Sequence, residues 1–220
     1  MKERPILFSG EMVRAILAGR KTQTRRVVKP TQSTPKVAPL TMYPYVYDGY
    51  QQEDDDGLPC WIGEHPDYPH EGKWFSCPHG GIGDRLWVRE TFCVVDGTPD
   101  YRATPRYSAE RPGGWENDPD DPSALHWHPS IYMPRALSRI TLTITDVRVE
   151  QVQSISEADA IAEGIIVRAG HMSRPLGSKE PSQPVTHVQN YSALWDTLNE
   201  RRGYGWDTNP FVWVVSFEVV

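Results

Sequence analysis

The sequence predicts an α+β chain, mostly β, with a few short helices, closing as a compact barrel. Three observations lead there. Four separate segments carry β-branched or apolar residues in strand patterns. The helical patterns are short and carry their own start and stop signals. Fifteen of the twenty prolines lie between Pro30 and Pro134, which leaves the regular elements at the two ends and in short stretches between.

The elements follow in order. Pro5–Phe8 is a short apolar run. Ser9 is an N-cap, Met12, Ile16 and Leu17 follow at helical spacing, and Gly19 suits the position just past a helix end. Thr22, Thr24 and Arg26 alternate with Lys21, Gln23 and Arg25 ahead of Val27-Val28, which predicts a strand ended by Pro30. Arg85–Val95 (RLWVRETFCVV) reads as one strand after the Gly83-Asp84 turn, and Arg139–Val152 as another. Ser156 starts a helix over SEADAIAEG, with acids in its first turn and Gly164 at its end. Tyr191–Glu200 is an amphipathic helix and Phe211–Val220 a closing strand. We read a single domain over 1–220. Residues 31–82 and 96–137 are two long insertions, too poor in aliphatic residues to form cores of their own. Residues 168–187 read as a Pro/Ser/Gly-rich loop.

Composition narrows the class. The chain has 220 residues, 38% of them hydrophobic, with eight Trp and ten Tyr, which excludes wholesale disorder. Cys60, Cys77 and Cys93 are odd in number and widely spaced, so they give neither a disulfide framework nor a CxxC pair. No apolar run approaches a membrane span and the start lacks a signal peptide's apolar stretch, so the expected setting is the cytoplasm, without membrane contact.

The net charge is −6, and residues 31–80 alone hold eight acids and two bases. Residues 14–29 hold six bases and no acid. A basic element on a chain that is not globally basic fits a small anionic or nucleoside-sized ligand better than a broad grip on long nucleic acid.

Several chemistries are weighed and set aside. Cys60, His65, His70, Cys77 and His79 fit no common zinc spacing, so we expect no metal and no cofactor. Glu53–Asp56 lacks the alternating ligands of a calcium loop. No GxGxxG, Walker or GxSxG pattern stands in its required context.

The distinctive stretch is Ala15–Arg26, AILAGRKTQTRR. Lys21 and Thr24, three apart on a tight turn into a strand, can form a base–nucleophile pair. The Thr hydroxyl becomes reactive when a lysine of lowered pKa takes its proton, and Arg20, Arg25 and Arg26 supply positive surroundings. From spacing alone a solvated basic strand accounts for the same residues more simply.

The segment resembles the signature of the ASCH domain family, G-x-K-x-x-[ET]-x-R, met here by Gly19, Lys21, Thr24 and Arg26. The usual Glu is replaced by Thr24, as in the family's small bacterial N4-acetylcytidine amidohydrolases, whose stretch reads I-L-A-G-R-K-T-x-T-x-R. The resemblance covers roughly 5–30, 83–95, 138–166 and 190–220, and extends to phage-encoded ASCH proteins. It implies a PUA-like β-barrel. It also implies an amidohydrolase acting on N4-acylated cytosine nucleosides in a bacterial cytosol or a phage-infected host. Thr24 would be the nucleophile, Lys21 its base and Glu163, on the later helix, the third catalytic residue, with Arg26 and Arg20 binding substrate. The two insertions have no counterpart in the small amidohydrolases. The alternative is a non-catalytic PUA-like module that binds RNA or a modified base, with Arg20, Lys21, Arg25 and Arg26 on phosphates and aromatic side chains on bases. A nuclease is a weaker third possibility, for want of a carboxylate cluster.

Overall fold

The computed structural model describes residues 1–29, 41–44, 46–47, 50–51, 60–65, 68–106, 126–167, 172–173 and 183–220, with backbone alone for those within 41–75 and for 172–173 and 183. The described part is mixed α+β, mostly strands with few helices. No helix among the described residues is long and apolar enough to cross a membrane.

Strand β1 (Glu3–Leu7) leads into helix α1 (Gly10–Leu17), whose N-cap Ser9 accepts from Met12 N. Val13, Ala15 and Ile16 bury the inner face of α1. Gly19, at φ 69°, supplies the left-handed turn that ends it, and β2 (Gln23–Val27) follows.

Within the first insertion the described residues include five strands. β3 (Thr41–Pro44), β6 (Cys60–His65) and β7 (Tyr68–Ser76) form one three-stranded sheet, and β4 (Val46–Tyr47) with β5 (Tyr50–Gln51) a two-stranded one.

The expected strand over 85–95 is two strands. β8 (Arg85–Arg89) stays in the main sheet, while β9 (Phe92–Val95) pairs with β10 (Thr98–Tyr101) across the Asp96-Gly97 turn. At the break Glu90 is buried, and its two carboxylate oxygens accept from Arg139 at 2.8 and 2.9 Å. The insertions also reach into the body, because Cys77 and Ala103 lie in the main core.

The long strand β11 (Thr141–Gln151) runs to helix α2 (Glu157–Ala162). Ser156 and Asp159 close a reciprocal capping box at its start. A two-residue pair, β12 (Met172–Ser173) with β13 (Gln183–Pro184), precedes helix α3 (His187–Asn199), capped by Thr186 and Gln189 in the same way. Strand β14 (Phe211–Val219) closes the described chain.

The main sheet has the order β1-β8-β11-β14-β2. β1 pairs with β8 in parallel; the other pairings are antiparallel. β14 reads as a continuous apolar run because both its faces are buried. Trp213, Val215 and Phe217 join Ile6, Phe8, Leu86 and Leu142 in one core; Val212 and Val214 join Tyr191, Trp195 and Ile155 in a second, under α2 and α3.

The expected closed barrel is not formed by the described pairings. The sheet is open, with β1 and β2 as its two ends. One link between these ends is a side chain: Arg26 Nη2 on β2 donates to Leu7 O on β1 at 2.7 Å. A cavity lies along both end strands.

Candidate functional site

The left-handed Gly19 folds the chain back so that Arg20 N and Lys21 N both donate to Ala15 O, at 2.9 and 3.1 Å. That turn sends Lys21 inward. It docks against the end of α2, where Thr22 N donates to Ala162 O and Lys21 forms an isolated bridge with Glu163. Gly164 completes the contact. Its φ is 87°, and a Cβ there would stand 2.9 Å from Ala15 Cβ and 3.1 Å from Lys21 Cβ.

Lys21 is almost wholly buried, and its Nζ donates to Gln23 O at 2.8 Å, Glu163 O at 2.9 Å and Glu163 Oε2 at 2.6 Å. These three bonds match the three N–H bonds of an ammonium. Burial pushes the Lys21 pKa down. Glu163 opposes that by charge and hydrogen bond, and Arg26 and Arg25 reinforce it.

Arg25 completes the cluster. It donates to Glu150 Oε1 through Nε and Nη2, to Gln23 Oε1 at 2.6 Å, and to Glu163 Oε1 at 3.4 Å. Glu163 is therefore held from two sides, by a lysine and an arginine.

Of the residues expected at a site, Lys21 and Glu163 meet as required. Thr24 and Glu163 both line the cavity, which has a volume of about 830 Å³. The Thr24 hydroxyl is not among the three acceptors of Lys21 Nζ. Thr24 pairs with Val215 and Arg26 with Trp213, on the face opposite Gln23 and Arg25. Arg26 shares the Thr24 face, lines the cavity, and stands over the Phe8 ring at 5.4 Å. Its Nε is buried without a hydrogen-bond partner among the described residues. Arg20 stands outside the cavity wall, exposed, donating to Gly164 O at 3.3 Å.

Other wall residues carried no local signal. Tyr191, Leu194 and Trp195 of α3 form an apolar and aromatic side, and Arg202 and Tyr204 stand just beyond that helix. His79, from the loop after β7, also lines the cavity; burial first, then Arg26 and Arg4, push its pKa down to about 4. Its imidazole is therefore neutral near pH 7, with one donor and one acceptor nitrogen. The buried Gln23–Arg25–Glu150 connection needed the fold to be known, since Glu150 is 125 residues from Arg25.

Of the zinc candidates, the side chains of Cys60, His65 and His70 lie outside the described residues. Cys77 is a buried thiol whose pKa burial raises to about 11. Among the described residues no three His, Cys, Asp or Glu side chains gather as a metal site.

Comparison with protein-family models, curated proteins and solved structures finds no match to this chain.

Proposed function

We propose that the chain is an ASCH-type, PUA-like domain acting as an amidohydrolase that removes the acyl group from N4-acylated cytosine nucleosides. The observation that carries this reading is the buried meeting of Lys21 with Glu163, 142 positions apart, beside a cavity that Thr24 also lines. A buried lysine of lowered pKa, oriented by a carboxylate, is the base that a threonine nucleophile requires. The cavity volume falls within the range of about 300–1,000 Å³ usual for small-molecule sites. Tyr191 and Trp195, almost wholly buried, back the cavity wall.

In the proposed reaction the proton on Lys21 first passes to Glu163, across their 2.6 Å contact, or to solvent. The neutral amine takes the Thr24 hydroxyl proton as Oγ1 bonds to the acyl carbonyl carbon. The tetrahedral intermediate collapses, the bond from that carbon to N4 breaks, and N4 receives the proton from Lys21. The products of this half are the free cytosine amine and an acyl-Thr24 ester. Water then adds to the ester and releases the carboxylic acid, restoring Thr24. The Lys21–Thr24 contact must form on substrate binding; catalytic hydrogen bonds are commonly loose in ligand-free enzymes and tighten in the complex.

The test is hydrolysis of N4-acetylcytidine by the purified chain, with cytidine release followed by chromatography. Release that depends on Thr24 supports the reading. An inactive wild type that binds RNA returns the chain to the RNA-binding alternative.

A further inference from the structure

The cavity wall is unevenly charged. Arg25 is matched by Glu150, Glu163 and Asp159. Arg26, Lys29 and Arg202 also line the cavity, and no ion pair is formed by any of the three among the described residues. The protein as a whole carries −6, so this local excess of cations is not a reflection of general basicity.

Arg26 and Arg202 come from opposite parts of the chain, and the fold sets the backbone position of each. Arg26 is on β2, with one bond to Leu7 O, and its guanidinium donates no other bond to the described residues. Arg202 ends the turn after α3. Gly203 at φ 82° reverses the chain there, Tyr204 N donates to Asn199 O, and Trp195 Nε1 donates to Tyr204 O. Burial pushes the Arg26 pKa down; Glu163 and Tyr191 oppose that, and the Arg202 charge adds to it. Glu163, the carboxylate on the same wall, is already paired with Lys21 and Arg25, so an anion that joins Arg26 and Arg202 there adds favourable charge, and guanidinium forks suit phosphate oxygens.

We propose that the substrate is phosphorylated: the cavity takes the acylcytosine as a nucleoside monophosphate, its phosphate lying between Arg26 and Arg202, with Lys29 adding charge. Neutral His79, on the same wall, gives the phosphate or sugar a hydrogen-bond donor without a charge of its own. This rests on the amidohydrolase reading for the base half of the ligand only. The volume suits a mononucleotide, and a terminal phosphate on an oligonucleotide presents the same chemistry from another source.

The experiment measures product binding by calorimetry, and hydrolysis separately, on the full chain. Cytidine, cytidine 5′-monophosphate and a short 5′-phosphorylated oligonucleotide are the binding probes. The expected result is that the monophosphate binds at least about tenfold more tightly than cytidine, as charge-assisted bonds predict. The advantage should shrink with added salt and should vanish in Arg202→Gln, while cytidine binding stays unchanged. The oligonucleotide should gain nothing over the monophosphate; a further gain overturns the mononucleotide assignment in favour of a nucleic-acid end. Equal binding of cytidine and the monophosphate overturns the phosphate site and leaves the amidohydrolase reading standing. Tight, Arg202-dependent monophosphate binding with no hydrolysis of any N4-acylcytidine substrate upholds the phosphate site and removes the amidohydrolase reading.

Discussion

Lys21 Nζ lies 2.6 Å from Glu163 Oε2, with the lysine side chain wholly buried and the carboxylate nearly so. Glu163 is the carboxylate that Lys21 pairs with, whereas Glu163 also has Arg25 at 3.4 Å. Glu163→Gln leaves a buried ammonium without its counter-ion and should cost roughly 3–5 kcal/mol of stability, measured by denaturant unfolding. Lys21→Met combined with Glu163→Leu removes both charges, and should be less destabilising than either charge removed singly.

The same pair sets a pH dependence. Burial lowers the Lys21 pKa and Glu163 raises it back. Activity should rise with pH as Lys21 loses its proton. Glu163→Gln removes the opposing effect, so in whatever activity that variant retains, the rising limb should move to lower pH. A limb that stays in place, measured as kcat/KM against pH, separates Lys21 from the titrating base.

Gly164 is a second point of dependence. Alanine there meets both a left-handed φ and Ala15 Cβ at 2.9 Å, so Gly164→Ala should cost about 1–3 kcal/mol and displace Glu163 from Lys21. Gly203→Ala has open space around its Cβ and bears only the backbone strain, about 1 kcal/mol. Thermal unfolding of the two variants should rank them in that order.

His79 predicts an acid sensitivity. Its pKa is about 4 in the fold against 6.5 for the free side chain. Between those values the unfolded chain binds a proton that the folded one refuses, so stability is intact above pH 6.5 and falls as pH drops toward 4. The loss from this group is at most about 3 kcal/mol. His79→Gln should flatten unfolding free energy over that window, and unchanged slope would exclude His79 as its source.

Much of the framework was legible locally. Ser9, Ser156 and the period-two alternation at Thr22–Arg26 sit where strand and helix signals placed them, because caps and pleat act over a few residues. The break at Glu90 was hidden. RLWVRETFCVV has unbroken strand propensity, and the partner of the buried Glu90, Arg139, lies 49 residues away. The open sheet was hidden for a similar reason: whether β1 and β2 pair depends on what fills the space between them, and there Arg26 and a cavity intervene. At the site, the resemblance brought Lys21, Thr24 and Glu163 together by name. His79 and Arg202 had no such guide, and the partners of Arg25, Glu150 and Glu163, come from tertiary contacts.

The central claim is that Thr24 attacks the acyl carbon. It is tested most directly by intact-protein mass spectrometry after rapid acid quench of the chain mixed with N4-acetylcytidine. The account predicts a transient mass increase of one acetyl group, mapping to Thr24 on digestion. Thr24→Ala should abolish it, with turnover reduced at least about 100-fold while the fold is retained. Thr24→Ala protein that hydrolyses N4-acetylcytidine at the wild-type rate, with no acyl-enzyme at any quench time, would contradict it.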